Sequence, residues 1–546
     1  MNIRRSLLLL VCETSFLLTT RPASAGSATW DLNPASGDWN TAENWTPKTV
    51  PNGTDDIATF GVSNVTEITQ SMTTTLGGMQ FDPGASSYNI NVLPRNPFSL
   101  NNAGVTNQSA VTQSVSCSST TLDFYNQSTA GDNVIYTNTN TESYVTSFFI
   151  FHNDATAGSA TFINNSNPTL FAASNIQFQN NASAGSSYIT NNGSTNYAFT
   201  AYTYFYDDST AAESTIIYDG AFGFFLSRAT AANSTITCSV ASIVYFLDVS
   251  TAGTATITSS GGSTVFFQDF ATAGAATLTA DGATFHFQDE ADAGTARIIF
   301  SNAGTLIVDR ETPAFQVGSL EGDGTARIAR VLLIGGNDLD ATFSGTLAST
   351  LEGDWLTKLG NGTWTLAGTG SYPGTTTVIA GTLLVTSAST PTGSGPVKVN
   401  GGTLGGSGTI AGPVTIGTGS GTGAFLAPAH GGNKQLTLTI QGSLTFNSDA
   451  TYTYTFKAKG NKSKIDKVIA NGVTINSGAS INLSGTTQGH LTQGTALNLI
   501  KNTAATPISG TFSNLPDGGI VNVNGNNLQA SYSGGDGNDL TLTVVR

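Results

Sequence analysis

Acids at a regular interval are the first feature of this sequence that could do chemistry. Asp248, Asp269 and Asp289 recur every 20 or 21 residues, and Asn126, Asn153, Asn180, Asp207 and Ser227 extend the series upstream. Such a column has two readings. Stacked carboxylates collect Ca²⁺, a cation that takes oxygen ligands, or the positions form a turn ladder in which Asx side chains hydrogen-bond nearby backbone. The turn ladder is the preferred reading. Gly534-Gly535-Asp536-Gly537-Asn538-Asp539-Leu540-Thr541-Leu542 fits one calcium nonapeptide. Such sites need consecutive turns and only one copy is present, so a closing turn before a final strand is preferred there.

Catalysis finds less support. A polysaccharide lyase or hydrolase needs paired carboxylates, or Lys and Arg with a metal, converging on one groove. The four histidines, His152, His286, His430 and His490, stand in no recognisable catalytic setting. No Gly-x-Ser-x-Gly elbow, His-Glu-x-x-His helix or phosphate loop occurs. Acids stacked one strand spacing apart, ~4.8 Å, come near the ~5 Å of retaining glycosidases, but stacking alone produces that coincidence. No catalytic, cofactor-binding or metal-ligating residue is therefore assigned, no cofactor is expected, and the chain is read as a non-enzyme.

The elements that must position these residues are repeats. A unit of the form Phe-x-Asx-x-Ala/Ser-Thr-Ala-Gly recurs with its Phe at 124, 151, 178, 205, 225, 246, 267 and 287. Five residues past the central Ala stand Ile135, Phe162, Ile189, Ile216, Ile236, Ile257, Leu278 and Ile298. In Ala255-Thr256-Ile257-Thr258 the apolar residues share one parity and the threonines the other, the mark of a half-buried strand. Thr-Ala-Gly supplies a turn. One such unit cannot bury its face alone, whereas stacked copies bury it continuously. The fold expected is all-β: a right-handed parallel β-helix with an N-terminal cap and a β-rich C-terminal section.

Composition agrees. The chain has 546 residues, only 10% of them charged, and is rich in Gly, Ser, Thr, Asn and Ala, an alphabet for short strands and tight turns. A net charge of −15 argues against a nucleic-acid partner. Arg4 and Arg5, the apolar stretches Leu7–Val11 and Phe16–Leu18, and Ala23-Ser24-Ala25 read as a secretory signal cleaved near Ala25. No later run reaches the ~20 apolar residues of a membrane helix. The mature chain keeps Cys117 and Cys238, about four rungs apart and hence roughly 20 Å along the stack, too far for a disulfide. Two unpaired, buried thiols are expected. Lys457, Lys459, Lys462, Lys464 and Lys467 form a basic run, read as a solvated loop.

Trp30, Trp39 and Trp45 stand close together among turn residues. They read as a cap over the open end of the stack, or as a platform for sugar rings. Asp38-Trp39-Asn40, Asn44-Trp45-Thr46-Pro47, Val50-Pro51-Asn52-Gly53 and Ala58-Thr59-Phe60 resemble the opening of bacterial autotransporter-associated β-strand repeat proteins. Trp355-Leu356-Thr357-Lys358-Leu359-Gly360-Asn361-Gly362-Thr363-Trp364-Thr365-Leu366, with Tyr372 to Val378 and Ala380 to Val385, is similar to their passenger-associated transport repeat, with Trp364 where Leu is more usual.

The resemblance implies a β-helical passenger displayed or released outside the cell, with no catalytic residues to carry over. A C-terminal translocator barrel is not read after residue 385, so export would use another route. The organisation expected is a signal peptide at 1–25, a capping region at 26–115, Phe/Asx/Ala-Gly rungs at 116–310, a continuation with the passenger repeat at 311–400 (the repeat itself at 355–385), and a Gly/Thr-rich end section at 401–546. Function is read as structural or adhesin-like, with surface glycans or other cell-surface proteins as partners. The alternatives are a carbohydrate-binding protein and a β-helix lyase or hydrolase.

Overall fold

The computed structural model describes residues 26–194, 200–309, 314–421, 423–430 and 435–546. The signal read at 1–25, including its cleavage site, lies outside the described residues.

Alternating apolar and β-branched polar residues make short strands, and like strands stack in register. Along one face of the rungs, strands such as Thr264–Phe267 pair in parallel with Ile243–Phe246 before and Thr284–Phe287 after. Along a second face, Thr256–Ser260 pairs in parallel with Thr235–Ser239 and Thr277–Asp281. Between the faces runs a column of single bridging residues: Thr129, Thr156, Ser183, Thr210, Thr230, Thr251, Thr272 and Asp292. From Ala314–Val317 onward this column widens into a third parallel sheet ending at Val473–Ile475. The fold is a parallel β-helix, and no α-helix occurs among the described residues.

The eight ladder phenylalanines stack with centroids 4.5–4.8 Å apart and planes within 8°. All eight are fully buried, so each ring adds stacking of about 0.5–1.5 kcal/mol per pair to its buried area. The opposing column differs from expectation at its first member. Ile135 faces outward, and Tyr136 occupies the inward place, stacked on Phe162 at 4.9 Å. The turn after Gly131 carries one residue more than later turns, which shifts parity by one and exchanges the faces. The 27-residue repeats have extra residues in the turns from second face to first, as at 140–146 and 166–173.

The bridge column explains the Thr-Ala-Gly signature. Thr251 Oγ1 accepts the N–H of Gly253 at 3.0 Å, and Thr129, Thr156, Ser183, Thr210, Thr230, Thr272 and Asp292 repeat the bond. The acceptor of this local turn recurs because each rung needs it. The next residue but one lies in the left-handed region, as in Gly253 at φ 61°.

Cys117 and Cys238 are free and buried. They share one interior column, passing through Asn138, Asn164, Asn191 and Tyr218. The separation is thus five rung steps rather than four, about 24 Å at the strand spacing. Asn138, Asn164 and Asn191 form an amide ladder, Nδ2 to Oδ1, of 3.3 and 2.9 Å between the two thiols.

The N-terminal strand Ala28–Trp30 pairs with both Trp45–Thr46 and Ile57–Phe60. At the other end, Ala496–Asn502 joins the stack in parallel through Lys467–Ala470. It then continues as an antiparallel sheet through Asp539–Val545, Asn526–Gly534 and Ile520–Val523.

Candidate functional site

Parity decides what each rung shows to solvent. The residue before each ladder Phe points outward, and in the middle rungs it is aromatic: Tyr204, Phe224, Tyr245 and Phe266. These part-exposed rings stack at 4.9, 5.2 and 5.0 Å, with planes within 12°. His286 continues the column, tilted 40° from Phe266 at 5.3 Å. Tyr202 and Tyr206 flank Tyr204 at 5.9 and 5.5 Å, and Phe222 flanks Phe224 at 6.2 Å. The result is an apolar outer strip across five rungs, about 19 Å long at the strand spacing.

Because the rings lie parallel along the axis, they cover each other's faces and present edges outward. Burial raises the phenols of Tyr204, Tyr206 and Tyr245 above their ordinary range, and neighbouring phenols add to this at Tyr204. The hydroxyls are therefore neutral groups, able to donate and accept. An apolar body with a polar tip is the chemistry that recurs in protein interfaces. At the far end His286 Nε2 meets Asp309 Oδ2 at 2.9 Å, and Gln288 Nε2 donates to the same oxygen at 3.2 Å.

A second exposed stack lies on the long turns. Tyr144 and Phe171, 74% and 45% exposed, stack at 5.5 Å with planes 8° apart. Their turns lead directly into the first-face strands Ser147–Phe151 and Ser174–Phe178.

The Asx column is a turn ladder. Its eight members all lie in the left-handed region, φ 50–61°, where Asn and Asp are enriched among non-glycine residues. The side chains bond between rungs: Ser227 N–H donates to Asp248 at 2.7 Å, Asp248 N–H to Asp269 at 3.1 Å, and Asp269 N–H to Asp289 at 3.1 Å. One carboxylate oxygen of each is thereby occupied. Among the described residues no group of three or more His, Cys, Asp or Glu is disposed to hold a metal.

At the C-terminal nonapeptide the chain makes an antiparallel hairpin turn, pairing Gly534 with Asp539. Asp539 is buried and accepts from Asn498 Nδ2 at 2.7 Å and Asn502 N–H at 3.0 Å. The histidines do not converge. His152 bonds Asp123 at 3.1 Å, His286 bonds Asp309, His430 bonds Thr382 at 3.3 Å, and His490 is exposed near the C-terminus.

The tryptophan platform is corrected. Trp30, Trp39 and Trp45 are all buried, packed edge to face at 5.0 and 4.9 Å around Trp45. Their indole N–H groups donate to the carbonyls of Val65, Pro51 and Trp39. They close the end of the core and show no face to a sugar. The segment 355–385 is likewise a packing device. Trp355 and Trp364 are buried, Tyr372 lies 4.2 Å from Trp355, and Lys358 turns inward to cap the carbonyls of Leu359 and Gly360. Burial lowers the Lys358 pKa despite Asp338 and Asp340 nearby.

No protein-family model matches the chain, and no curated protein sequence matches it. Among solved structures it is similar to the Hap adhesin of Haemophilus influenzae, at 12% identity and a TM-score of 0.23. The overlap covers 90% of this chain and spans 64% of the length of that one.

The aromatic strip was readable but unread. Every rung with an aromatic immediately before its ladder Phe places it on the solvent parity, as in Val244-Tyr245-Phe246 and Val265-Phe266-Phe267.

Proposed function

We propose that this chain is a secreted or cell-surface adhesin-like β-helical protein of the autotransporter-associated β-strand repeat kind. Its contact surface is the outward strip Tyr204, Phe224, Tyr245 and Phe266, and its partner is another surface protein. The strip is the observation that carries the reading. Four large aromatic side chains held partly exposed on a rigid sheet lose little entropy on contact, and the hydroxyls of Tyr204 and Tyr245 serve a flat, partly polar partner. Export through the N-terminal signal belongs to the same reading.

Sugar stacking has weaker support, since the tryptophans are buried and the strip rings cover one another's faces. A catalytic role has no converging groups behind it among the described residues. The test is adherence of beads coated with the mature chain to host or sibling cells, comparing the native protein with Phe224→Thr/Tyr245→Thr/Phe266→Thr. Threonine is strand-compatible at these positions. Adherence is expected to fall at least about tenfold in a variant that stays folded at the assay temperature, the lost stacking costing about 0.5–1.5 kcal/mol per pair. Undiminished adherence would remove the strip from function.

A further inference from the structure

The turn column that follows the ladder phenylalanines changes chemistry part-way along the stack. Asn126, Asn153 and Asn180 hold the first three left-handed positions, and Asp207, Ser227, Asp248, Asp269 and Asp289 hold the next five. Asn and Asp do the same work there. Asn153 Oδ1 accepts the Asn126 N–H at 3.3 Å and Asn180 Oδ1 the Asn153 N–H at 3.1 Å, just as Asp269 Oδ2 accepts the Asp248 N–H at 3.1 Å. One neutral oxygen is enough for that bond, so the fold needs no charge at these positions. Carboxylates one rung apart, ~4.8 Å, also repel one another, a cost the amides avoid.

The acids begin where the outward aromatics begin. Ile150 and Gln177 stand three residues before Asn153 and Asn180, whereas Tyr204, Tyr245, Phe266 and His286 stand three residues before Asp207, Asp248, Asp269 and Asp289. Phe224 precedes Ser227 instead, and there Arg228 is held by Asp208 at 2.6 Å. Asp248 and Asp269 are exposed and Asp289 partly so. Each uses only Oδ2 for its rung bond. None of the three joins an ion pair among the described residues, though Arg330 donates to the Asp289 main-chain carbonyl. Apolar columns flank these acids on both sides. On one side run the strip and the partly exposed Leu226 and Leu247, and on the other Val249 and Phe270, 52% and 61% exposed, follow Asp248 and Asp269 directly.

We propose that this acidic ladder and the aromatic strip beside it together dock a basic amphipathic segment of a partner protein, its apolar side chains on the strip and its Lys or Arg on Asp248, Asp269 and Asp289. This docking rests on the strip being the contact surface proposed above. Charge complementarity selects the occupant. A second copy of this chain would bring the same acids and a net charge of −15 against the face, whereas Lys and Arg lay apolar stems along Leu247, Val249 and Phe270 while their heads reach the carboxylates. The three acids span two rung steps, about 10 Å along the axis, close to two turns of an α-helix. A helical segment lying along the axis would therefore present one cation per turn to one acid per rung.

The test uses synthetic peptides with leucine at helical spacing on one face and either lysine or glutamate on the other, titrated into the mature chain by calorimetry at low and high salt. The variants are Asp248→Asn/Asp269→Asn/Asp289→Asn and Phe224→Thr/Tyr245→Thr/Phe266→Thr. A control, Glu43→Gln/Glu352→Gln/Asp536→Asn, removes three exposed acids elsewhere. The leucine–lysine peptide is expected to bind, more weakly as salt rises, and the leucine–glutamate peptide is not. The Asn variant carries the residue the early rungs already use and should unfold no earlier than native. It should lose about tenfold or more in affinity, as should the threonine variant, while the control keeps native affinity. No binding of the leucine–lysine peptide, equal binding of the leucine–glutamate peptide, an Asn variant no weaker than the control, or self-association through the strip in sedimentation would each overturn the proposal. Bead adherence separates it from the adhesive role of the strip. Adherence lost in the threonine variant but unchanged in the Asn variant overturns the basic partner and leaves the strip in function, whereas adherence unchanged in the threonine variant removes the strip itself.

Discussion

The left-handed position after each bridge residue allows two opposed substitutions whose signs are fixed by backbone geometry. Six rungs place glycine there, with φ between 55° and 81°, but two consecutive rungs place Ala212 at φ 50° and Ala232 at φ 49°. A side chain in this region costs an L-residue about 1–2 kcal/mol. Glycine loses more conformational entropy on folding, by roughly 0.5–1 kcal/mol. Ala212→Gly should therefore stabilise by about 0.5–1 kcal/mol, the difference of the two. The reverse change at Gly274 is worse than its mirror image. A Cβ there would lie 2.8 Å from the Gly253 carbonyl oxygen and 3.2 Å from Thr251 Oγ1. Gly274→Ala should cost about 1–3 kcal/mol.

The assay is urea unfolding of the mature chain by circular dichroism, with the slope checked for constancy so that a midpoint shift reports stability. Amide exchange at Glu213 and Thr215, which bond back to the previous rung at 2.9 Å, reads the local effect. Destabilisation by Ala212→Gly, or a neutral Gly274→Ala, would show that side-chain packing rather than backbone strain governs this column.

Three further outcomes follow from the same structure. Phe225→Ala removes a ring stacked at 4.6 Å on both Phe205 and Phe246 and should cost about 3–5 kcal/mol in the unfolding midpoint; a loss under about 1 kcal/mol would contradict a dry ladder. Burial pushes the Cys238 thiol up to about 12, and it raises Cys117 further. Neither should react with a disulfide reagent at pH 8 until the chain is unfolded, and rapid native labelling would place them wrongly. Burial would raise the Asp449 carboxyl, but N–H donors from Thr418, Gly419 and Gly421 outweigh it and hold the group below its ordinary range. A folded pKa below the unfolded one contributes stability above pH ~4 that is lost as pH falls through the folded value. Exchange protection of Gly419 and Gly421 should decline in that acid window, and Asp449→Asn should abolish the dependence.

The scaffold was legible because each rung faces the same constraints. Phe267 must fit between Phe246 and Phe287, so its identity recurs, and the Asx, Thr and Gly positions recur for equally local backbone reasons. The misreading at Ile135 came from one added turn residue, which nothing in strand periodicity marks. The sheet beginning at Ala314–Val317 was hidden for a different cause: upstream, its place is held by one bridging residue per rung, too short to show a period. The lysine run at 457–467 reads as a loop because alternation with Ala458, Gly460 and Ser463 looks like turn composition, whereas Ala450–Lys459 and Lys462–Ile465 pair there as an antiparallel hairpin.

This division between constrained and free positions bears on function. An inward residue is fixed by the rungs above and below, so its regularity reports stacking and nothing about partners. An outward residue is released from that constraint, and where it departs from the plain pattern another cause is required. The outward position before the ladder Phe is Ile150 and Gln177 in early rungs, then Tyr204, Phe224, Tyr245 and Phe266 in succession. Stacking energy is one cause, at about 0.5–1.5 kcal/mol per aromatic pair, yet the early rungs hold without it. A feature that strengthens the fold can persist for the fold's sake, so it is the strip's place on the surface, not its stacking, that bears on a partner.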